Sequence, residues 1–357
     1  MKILYVSDAQ SIHTRRWAEY FRDSGAEVHV ASFRRADIPG VTTHLLPTFG
    51  LGKLGYLIAL LFLRALYRRL RPRVVHAQYV TSYGFLSAFA GLHPLVLTAW
   101  GTDVLISPKE SRLMRWLASY AVRHADAVTT VAQHMNPWVA ALGISESTVS
   151  AVPFGVDTQH FVPSLWSRPK SDELHLICTR NFAPVYDVST LITSLQRATE
   201  MGLRLQVDLV GAGPLRSQLE AQVMRAGLTS RVTFHGHVDH DRLAQLLAQA
   251  DIFVSPAISD GNNVSLNEAM ACASFPIATR IPANAQWIED GVNGLLYPSG
   301  DAAALTECIL CAAGDSTWRE RAGKLNRSIV EQRADWRVCV AKMTDIYAKV
   351  TAQAGEH

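Results

Sequence analysis

The chain has 357 residues, of which 48% are apolar and 18% charged, enough for two globular domains with sizeable cores. Its net charge of +3 is too small to predict nucleic acid as a partner. The five cysteines predict reduced thiols in a cytoplasmic protein. The apolar start of the chain is too short for a signal peptide, and no stretch reaches the roughly 20 apolar residues of a membrane-spanning helix.

Short β-branched runs alternate with helical patterns along the first half of the chain, which predicts parallel strands joined by crossover helices. Seven strands are expected, at residues 2–6, 27–31, 42–46, 74–76, 95–99, 127–131 and 149–152. Gly25 and Pro72 are expected to end two of the intervening helices.

A break in this pattern follows at Pro153-Phe154-Gly155-Val156-Asp157, and residues 163–169 are predicted to form a linker. A second set of six strands is expected at residues 174–178, 206–210, 232–234, 252–254, 276–278 and 294–297. We therefore predict an α/β protein of two Rossmann-like doubly wound domains, residues 1–163 and 164–333, facing each other over a cleft. The last helical segment, within residues 334–357, is expected to pack back on the N-terminal domain.

Ligands of open α/β sheets bind beyond the carboxyl ends of the strands. Glycine, charged and polar residues cluster at the ends of the predicted strands, at residues 7–8, 76, 100–103, 179–180, 211–213, 235–237 and 255–260. This placement predicts an active site in the cleft between the domains.

The segment from Asp260 to Glu268 has the chemistry expected of a nucleotide-sugar site. Gly261, Asn262 and Asn263 precede a helix predicted over about residues 264–272, and a helix N-terminus offers backbone N–H groups and a positive dipole end to phosphate. Glu268 lies roughly 6–9 Å further along the axis, so a carboxylate stands on each side of the phosphate position, where ribose and sugar hydroxyls need acceptors. The alternative interpretation is a helix cap and a solvent-exposed glutamate.

Several motifs in this half resemble those of retaining glycosyltransferase family 4, which has the two-Rossmann GT-B fold. Asp260-x7-Glu268 followed by Ala269-Met270-Ala271 is similar to the family's Glu-x7-Glu and Ala-Met-Ala. Further matches lie at residues 153–157, 211–214, 276–278 and 287–295. The resemblance covers nearly the whole chain, and it implies that residues 1–163 bind the acceptor and residues 164–333 the donor.

The resemblance also implies a role for each donor-side residue. Glu268 would bind the ribose, Asp260 the transferred sugar and Arg180 the diphosphate, whose developing charge a guanidinium offsets. The other donor-binding residues would be Gly211, Gly236, Gly261, Asn262, Asn263, Val264 and Ser265. The chain departs from the family in having Asp260 in place of glutamate, no lysine about five residues after Arg180, and Trp100 where many members have histidine.

On the acceptor side, we expect His13, His76 and Trp100 at the edge of the first domain and Asp103 as a catalytic carboxylate facing the acceptor or the reacting sugar. Each titratable group has a structural alternative: Asp103 can cap the following turn, His13 can be a surface histidine, and His76 can be satisfied by the protein itself.

The run from His235 to Asp241 (HGHVDHD) has the composition of a metal site. Asp239 and Asp241, however, precede an amphipathic helical pattern and are predicted to cap it. No metal and no cofactor are expected, because transfer in the family needs no metal and Gly211-Ala212-Gly213 lacks the rest of a dinucleotide fingerprint.

Residues 38–102 contain no Asp or Glu. Within them, residues 54–63 are almost wholly apolar, and Lys53, Arg64, Arg68 and Arg71 fall within about a 60° sector of a helical wheel. A basic stripe beside an apolar surface over residues 53–73 is typical of a helix on an anionic membrane, and a run of this length is equally typical of a core helix.

The sequence thus predicts a metal-independent, retaining hexosyltransferase of polysaccharide biosynthesis, cytoplasmic or peripheral on the inner face of the cell membrane. Its donor would be a nucleotide diphosphate sugar, a UDP-sugar in preference to a GDP-sugar, and its acceptor a hydroxyl of a lipid-linked or surface glycan. A nucleotide-sugar 2-epimerase of the same fold and a non-catalytic sugar-nucleotide-binding scaffold remain the alternatives.

Overall fold

The computed structural model describes residues 1–50, 53–163 and 173–354, so most of the predicted linker lies outside the described residues. The chain divides into two compact units, one formed by Met1–Phe154 with Val340–His357 and the other by Gly155–Cys339. The first unit therefore ends before the predicted boundary at residue 163, and the C-terminal segment groups with it.

The first unit is built on a seven-stranded parallel sheet in the order β3-β2-β1-β4-β5-β6-β7. Its central strands are runs of buried apolar residues, as expected of parallel strands covered on both faces. The strands are β1 (Lys2–Val6), β2 (Glu27–Ser32), β3 (Thr42–Leu45), β4 (Val74–Gln78), β5 (Leu95–Ala99), β6 (Ala127–Thr130) and β7 (Val149–Ala151).

Seven α-helices precede the end of this sheet: α1 (Ile12–Asp23), α2 (Lys53–Leu70), α3 (Phe85–Phe89), α4 (Thr102–Leu105), α5 (Ser107–Glu110), α6 (Arg112–Arg123) and α7 (Asn136–Ala140). A five-residue π-helix, Val80–Gly84, follows β4. Strand β4 runs two residues beyond the predicted end, so His76 lies in the middle of the strand and Gln78 ends it.

The second unit has a six-stranded parallel sheet in the order β10-β9-β8-β11-β12-β13. The strands are β8 (Leu174–Cys178), β9 (Leu205–Val210), β10 (Val232–Gly236), β11 (Ile252–Ser255), β12 (Phe275–Thr279) and β13 (Leu295–Tyr297). The helices are α8 (Val188–Glu200), α9 (Arg216–Arg225), α10 (His240–Gln249), α11 (Val264–Ala271), α12 (Pro282–Ala285), α13 (Ala302–Gly314) and α14 (Ser316–Arg333). The last helix, α15 (Trp336–Gln353), begins in the second unit and from Val340 onward belongs to the first.

Apolar residues of the second unit form two layers. One layer joins the sheet to α8, α9 and α13 through residues such as Leu191, Leu219 and Ile309. The other joins it to α10 and α11 through residues such as Leu247 and Leu266. Both units thus have strands in the Rossmann order, with the reversal of strand order between β1 and β4 and between β8 and β11. The predicted class of two doubly wound Rossmann-like domains is confirmed.

Among the described residues, no helix is both long and apolar enough to cross a membrane. All five cysteines are free. Cys308 and Cys311 lie one turn apart on α13.

Candidate functional site

Arg180 is the centre of a polar cluster at the carboxyl end of β8. Its Nη1 donates to Asn263 Oδ1 at 2.8 Å, and its Nη2 donates to Asp260 Oδ2 in a close ion pair. The guanidinium carbon lies 4.4 Å from the centre of the Tyr186 ring. Only 7% of the residue is exposed. The structure therefore brings this arginine and the predicted sugar-binding carboxylate, Asp260, into direct contact in a largely buried place.

Asn263 connects this arginine to helix α11. It is fully buried and is the N-cap of the helix, where its Oδ1 also accepts from the Leu266 N–H at 3.1 Å. Its Nδ2 donates to Ser255 Oγ and to Asn284 Oδ1, both at 2.9 Å. Because the protein engages the whole amide, Asn263 holds Arg180 and the helix start in register.

Two glycines allow the backbone after β9 to lie against the backbone after β8. A Cβ at Gly211 would stand 2.4 Å from the Arg180 carbonyl oxygen, and one at Gly213 would stand 2.4 Å from that of Phe182. The Gly211 N–H also donates to the Gly236 carbonyl at 2.9 Å. Any side chain at Gly211 would therefore displace the residue that carries the guanidinium.

Several buried polar atoms around Arg180 have no hydrogen-bond partner within the part of the chain that the structure describes. They are Arg180 Nε, Thr179 Oγ1, Asn262 Oδ1 and Asn267 Oδ1. A buried polar atom without a partner costs about 1–3 kcal/mol, and native proteins keep few of them. Their grouping at the end of β8 and the start of α11 is typical of a site that a polar ligand completes.

The other predicted donor-side residues lie around the start of α11. Ser265 Oγ donates to the Thr179 carbonyl at 3.2 Å, which ties the first turn of the helix to the end of β8. The Val264 N–H donates to the Asn262 carbonyl at 2.9 Å, so it is already engaged. Glu268 is half-buried in the second turn of the helix, and Gly261 is half-buried in the loop before it.

In the first unit, His13 and Trp100 meet at the carboxyl edge of the sheet together with Phe154. The rings of His13 and Phe154 stack at a centroid distance of 3.6 Å, and Trp100 makes edge contacts with both, at 6.0 and 5.8 Å. Burial, together with the charge of Arg16, lowers the pKa of His13 to about 4. At neutral pH this edge therefore presents an uncharged aromatic group.

Asp103 is fully buried. Its carboxylate accepts hydrogen bonds from three backbone N–H groups. Val80 donates at 2.7 Å, Gly101 at 2.8 Å and Trp100 at 3.1 Å. Burial raises the pKa of this carboxyl. Its oxygens hold the π-helix that follows β4 and the loop that carries Trp100, and they do not cap α4, whose N-cap is Gly101.

His76 lies in the interior of the first unit, not on its acceptor-side edge. Its Nδ1 is 2.6 Å from the Tyr347 hydroxyl and its Nε2 is 2.6 Å from Thr98 Oγ1. Burial lowers its pKa to about 3, so the ring is a neutral core group. The physical reason for the misplacement is the extra length of β4, which carries His76 into the sheet.

The histidine-rich run, which begins in β10, makes two structural contacts, one through His235 to Asp208, shared with His175 of β8, and one through Asp239. His235 Nε2 lies 2.7 Å from one oxygen of Asp208, and His175 Nε2 lies 2.8 Å from the other. Asp239 is the N-cap of α10 and accepts from the Arg242 N–H at 2.7 Å, which confirms the predicted cap. Among residues 1–50, 53–163 and 173–354, no group of three or more metal-binding side chains is found.

The sequence does not predict two residues of these clusters. Tyr186 lies six positions after Arg180, and Phe154 lies in the segment 153–157, which marks a break in the strand–helix pattern and a family motif but no site residue. The aromatic character of Phe154, next to the glycine of that segment, was the one available signal. Nothing in the sequence alone indicates that Tyr186 covers the arginine.

Two family profiles match the chain, one in each unit. The family described as Glycosyl transferase 4-like matches residues 2–132, and the family described as Glycosyl transferases group 1 matches residues 173–315. The chain therefore belongs to the group 1 glycosyltransferases of the GT-B fold, the family 4 group that its motifs resemble.

Two relatives share 28% and 24% of the aligned residues with this chain. A phosphatidyl-myo-inositol mannosyltransferase of Mycobacterium leprae is 28% identical over 208 residues, which cover 57% of this chain and 54% of that protein. A glycogen synthase of Mycobacterium tuberculosis is 24% identical over 300 residues, or 81% of this chain and 71% of the enzyme. This chain thus spans about half the length of the mannosyltransferase and 71% of the length of the glycogen synthase.

Solved structures share the fold over almost the whole chain. Anabaena HepE in complex with UDP and glucose superposes with a TM-score of 0.81 at 20% identity, over 98% of this chain and 100% of that one. The sucrose-phosphate synthase of Thermosynechococcus elongatus gives 0.80 at 20% identity, over 99% and 100%. At this identity the likeness concerns the fold.

Proposed function

We propose that this glycosyltransferase moves a hexosyl group from a nucleotide diphosphate sugar to a hydroxyl of a lipid-linked or surface-polysaccharide acceptor. The observation that carries the proposal is the cluster of Arg180, Asp260 and Asn263 at the start of α11, with its buried, unpartnered polar atoms. A guanidinium beside a helix N-terminus is suited to a diphosphate. The solved complexes of HepE with UDP and UDP-glucose support a UDP-sugar over a GDP-sugar.

In this proposal each donor-side residue binds one part of the donor. Arg180 contacts the diphosphate and offsets the charge that develops on the leaving group, Glu268 accepts from the ribose, and Asp260 accepts from the hexose hydroxyls. Gly211 and Gly236 keep the backbone close enough to receive the nucleoside. Transfer retains the anomeric configuration and uses no metal: the bond from C1 to the phosphate oxygen breaks, the acceptor oxygen bonds C1 on the same face, and its proton passes to the leaving phosphate.

On the acceptor side, we assign His13 and Trp100 to a neutral aromatic surface that receives the acceptor. Asp103 acts on this surface as a positioning residue, because its carboxylate fixes the backbone of Trp100 and Gly101. His76 has no direct part, since it is enclosed by Thr98 and Tyr347.

Incubation of the full chain with UDP- and GDP-sugars and bacterial lipid extracts tests the reaction. Mass spectrometry should detect a glycosylated lipid or glycan, and NMR should show the anomeric configuration of the donor. An inverted product would contradict the mechanism. Conversion of UDP-N-acetylglucosamine in the absence of acceptor would support an epimerase, and a product yield unchanged by Asp260→Ala would contradict the site.

We further propose that helix α2 docks on an anionic membrane surface. One face of α2 is buried through Ala59, Leu63 and Leu66, as a core helix requires. Apolar side chains are nevertheless exposed on its other side, at Tyr56, Leu57, Leu61 and Phe62, and are followed by exposed Arg64, Arg68 and Arg69. Arg71 lies beyond the helix with a φ of 47°, and the side chain of Lys53 lies outside the described residues.

A vesicle-pelleting assay at low salt tests this docking. Leu61→Glu should reduce pelleting with phosphatidylglycerol vesicles, because it places a charge in the apolar surface that enters the headgroup layer. Met224→Glu in the second unit is the matched control, since both side chains are 67% exposed. Equal pelleting of the two variants, or no pelleting of the wild type, would contradict membrane docking.

A further inference from the structure

The guanidinium of Arg180 has three close neighbours, and one of its three nitrogens lacks an acceptor among the described residues. Asn263 and Asp260 accept from its two terminal nitrogens, and the ring of Tyr186 covers its face at 4.4 Å. Its Nε is buried and has no partner among the described residues. Because only 7% of Arg180 is exposed, this buried donor points to a ligand that accepts a hydrogen bond there.

Hydrogen bonds on both sides fix the turn that carries Tyr186. Tyr186 ends the one-turn 3₁₀ helix Pro184–Tyr186, and the Val185 carbonyl accepts from the Ile258 N–H at 2.8 Å. The turn is therefore joined to the loop that carries Asp260. On the other side, Asp187 adopts a left-handed conformation with a φ of 42° and accepts from Thr190 Oγ1 at 2.7 Å, which locks the chain as α8 begins.

The electrostatics favour an aromatic ring, rather than a second carboxylate, as the group that covers the face of the Arg180 guanidinium. The positive charge of Arg180 is already shared with Asp260, so a bound phosphate competes with that carboxylate for the same guanidinium. An aromatic face attracts the cation without competing for its N–H groups, and the attraction is larger where water is excluded. The ring thus restricts rotation of the guanidinium plane without occupying any of its N–H groups.

We propose that Tyr186 is a positioning residue, whose ring holds Arg180 so that Nε faces a phosphate oxygen of the donor. This inference rests on the function proposed for the same cluster and adds a residue that the motifs do not contain. The aromatic ring, and not the hydroxyl, performs the role, since the Tyr186 hydroxyl makes no hydrogen bond to the described residues.

Calorimetric titration of the full chain with UDP, UMP and uridine tests the proposal, with the guanosine series added in parallel. Tyr186→Phe keeps the ring and should bind UDP as the wild type does. Tyr186→Leu removes the cation–π contact and should weaken UDP binding about tenfold, with a smaller loss for UMP and none for uridine. A general structural defect would weaken all three ligands together, so the dependence on phosphate number identifies positioning of Arg180.

Val185→Ala is the matched control, because it alters an exposed side chain of the same turn and should leave all affinities unchanged. Tyr186→Met serves as a second ring-free variant, and thermal unfolding checks that each variant is folded. UDP binding by folded Tyr186→Leu or Tyr186→Met at wild-type strength would overturn the inference alone, as would an equal loss in Tyr186→Phe. No diphosphate binding by the wild type would overturn the proposed function and this inference with it.

Discussion

The carboxyl edges of the two sheets carry similar residues and use them differently. In the first unit, the carboxylate of Asp103 at the sheet edge accepts from the backbone N–H groups of Val80 and Gly101, and His76 in the sheet interior is hydrogen bonded through both ring nitrogens. In the second, Arg180, Thr179 and Asn262 each keep a buried polar atom that no described residue satisfies. The first edge is therefore built to hold loops and an aromatic surface, whereas the second is built to receive a polar ligand.

Removing the charge at the second edge should have the largest effect. Arg180→Ala should lower kcat/KM for the donor about 10³-fold, since deletion of one charge-stabilising donor in other enzymes costs a similar factor. Steady-state kinetics with varied donor measures this. Arg333→Ala, which removes an arginine that lies over the Trp287 ring at 4.6 Å, is the control and should retain activity. Comparable losses of kcat/KM in the two variants would show that Arg180 at the second edge matters no more than an arginine elsewhere in the same unit.

Breaking the network that supports this edge should have a smaller effect, mainly on stability. Asn263→Ala removes the hydrogen-bond partner of Ser255 Oγ, Asn284 Oδ1 and Arg180 Nη1 as well as the cap of α11, and should lower the free energy of unfolding by about 3 kcal/mol. Asp301→Ala, at the exposed N-cap of α13, should cost about 1 kcal/mol. Chemical denaturation compares the two, and equal costs would show that Asn263 is an ordinary cap.

The two neutral histidines of the first unit should make the stability of the fold depend on pH. The pKa of His76 is lowered to about 3 and that of His13 to about 4, from 6.5. Below pH 6.5 the unfolded chain therefore takes up protons that the folded chain does not, and each histidine reduces the free energy of unfolding by about 1.4 kcal/mol per pH unit. Stability is complete above pH 6.5 and declines towards pH 4.

Denaturation of His76→Asn between pH 7 and 4.5 measures this dependence. The variant should be less stable at pH 7 but should lose stability less steeply on acidification. His237→Asn, which changes an exposed residue of the second unit, should keep the wild-type slope. A slope in His76→Asn equal to that of the wild type would mean that the histidine is not held neutral in the fold.

The strands were predictable because buried parallel strands are continuous apolar runs with polar residues at their ends. The roles of the polar residues were harder to predict, because a change of two residues in the length of one strand decides whether a side chain enters the sheet. His76 illustrates this: the strand extends to Gln78, and the histidine becomes a core residue. Asp260 and Arg180 were both chosen from motifs, but their direct ion pair and the ring of Tyr186 depend on loops whose conformations local sequence does not determine.

A crystal structure of the full chain grown with UDP tests the central claim most directly. The account predicts a diphosphate oxygen about 3 Å from Arg180 Nε, close to the first turn of α11, with the ribose hydroxyls at Glu268 and the Tyr186 ring still against the guanidinium. UDP bound away from β8 and α11, with Arg180 Nε still without a partner, would contradict it.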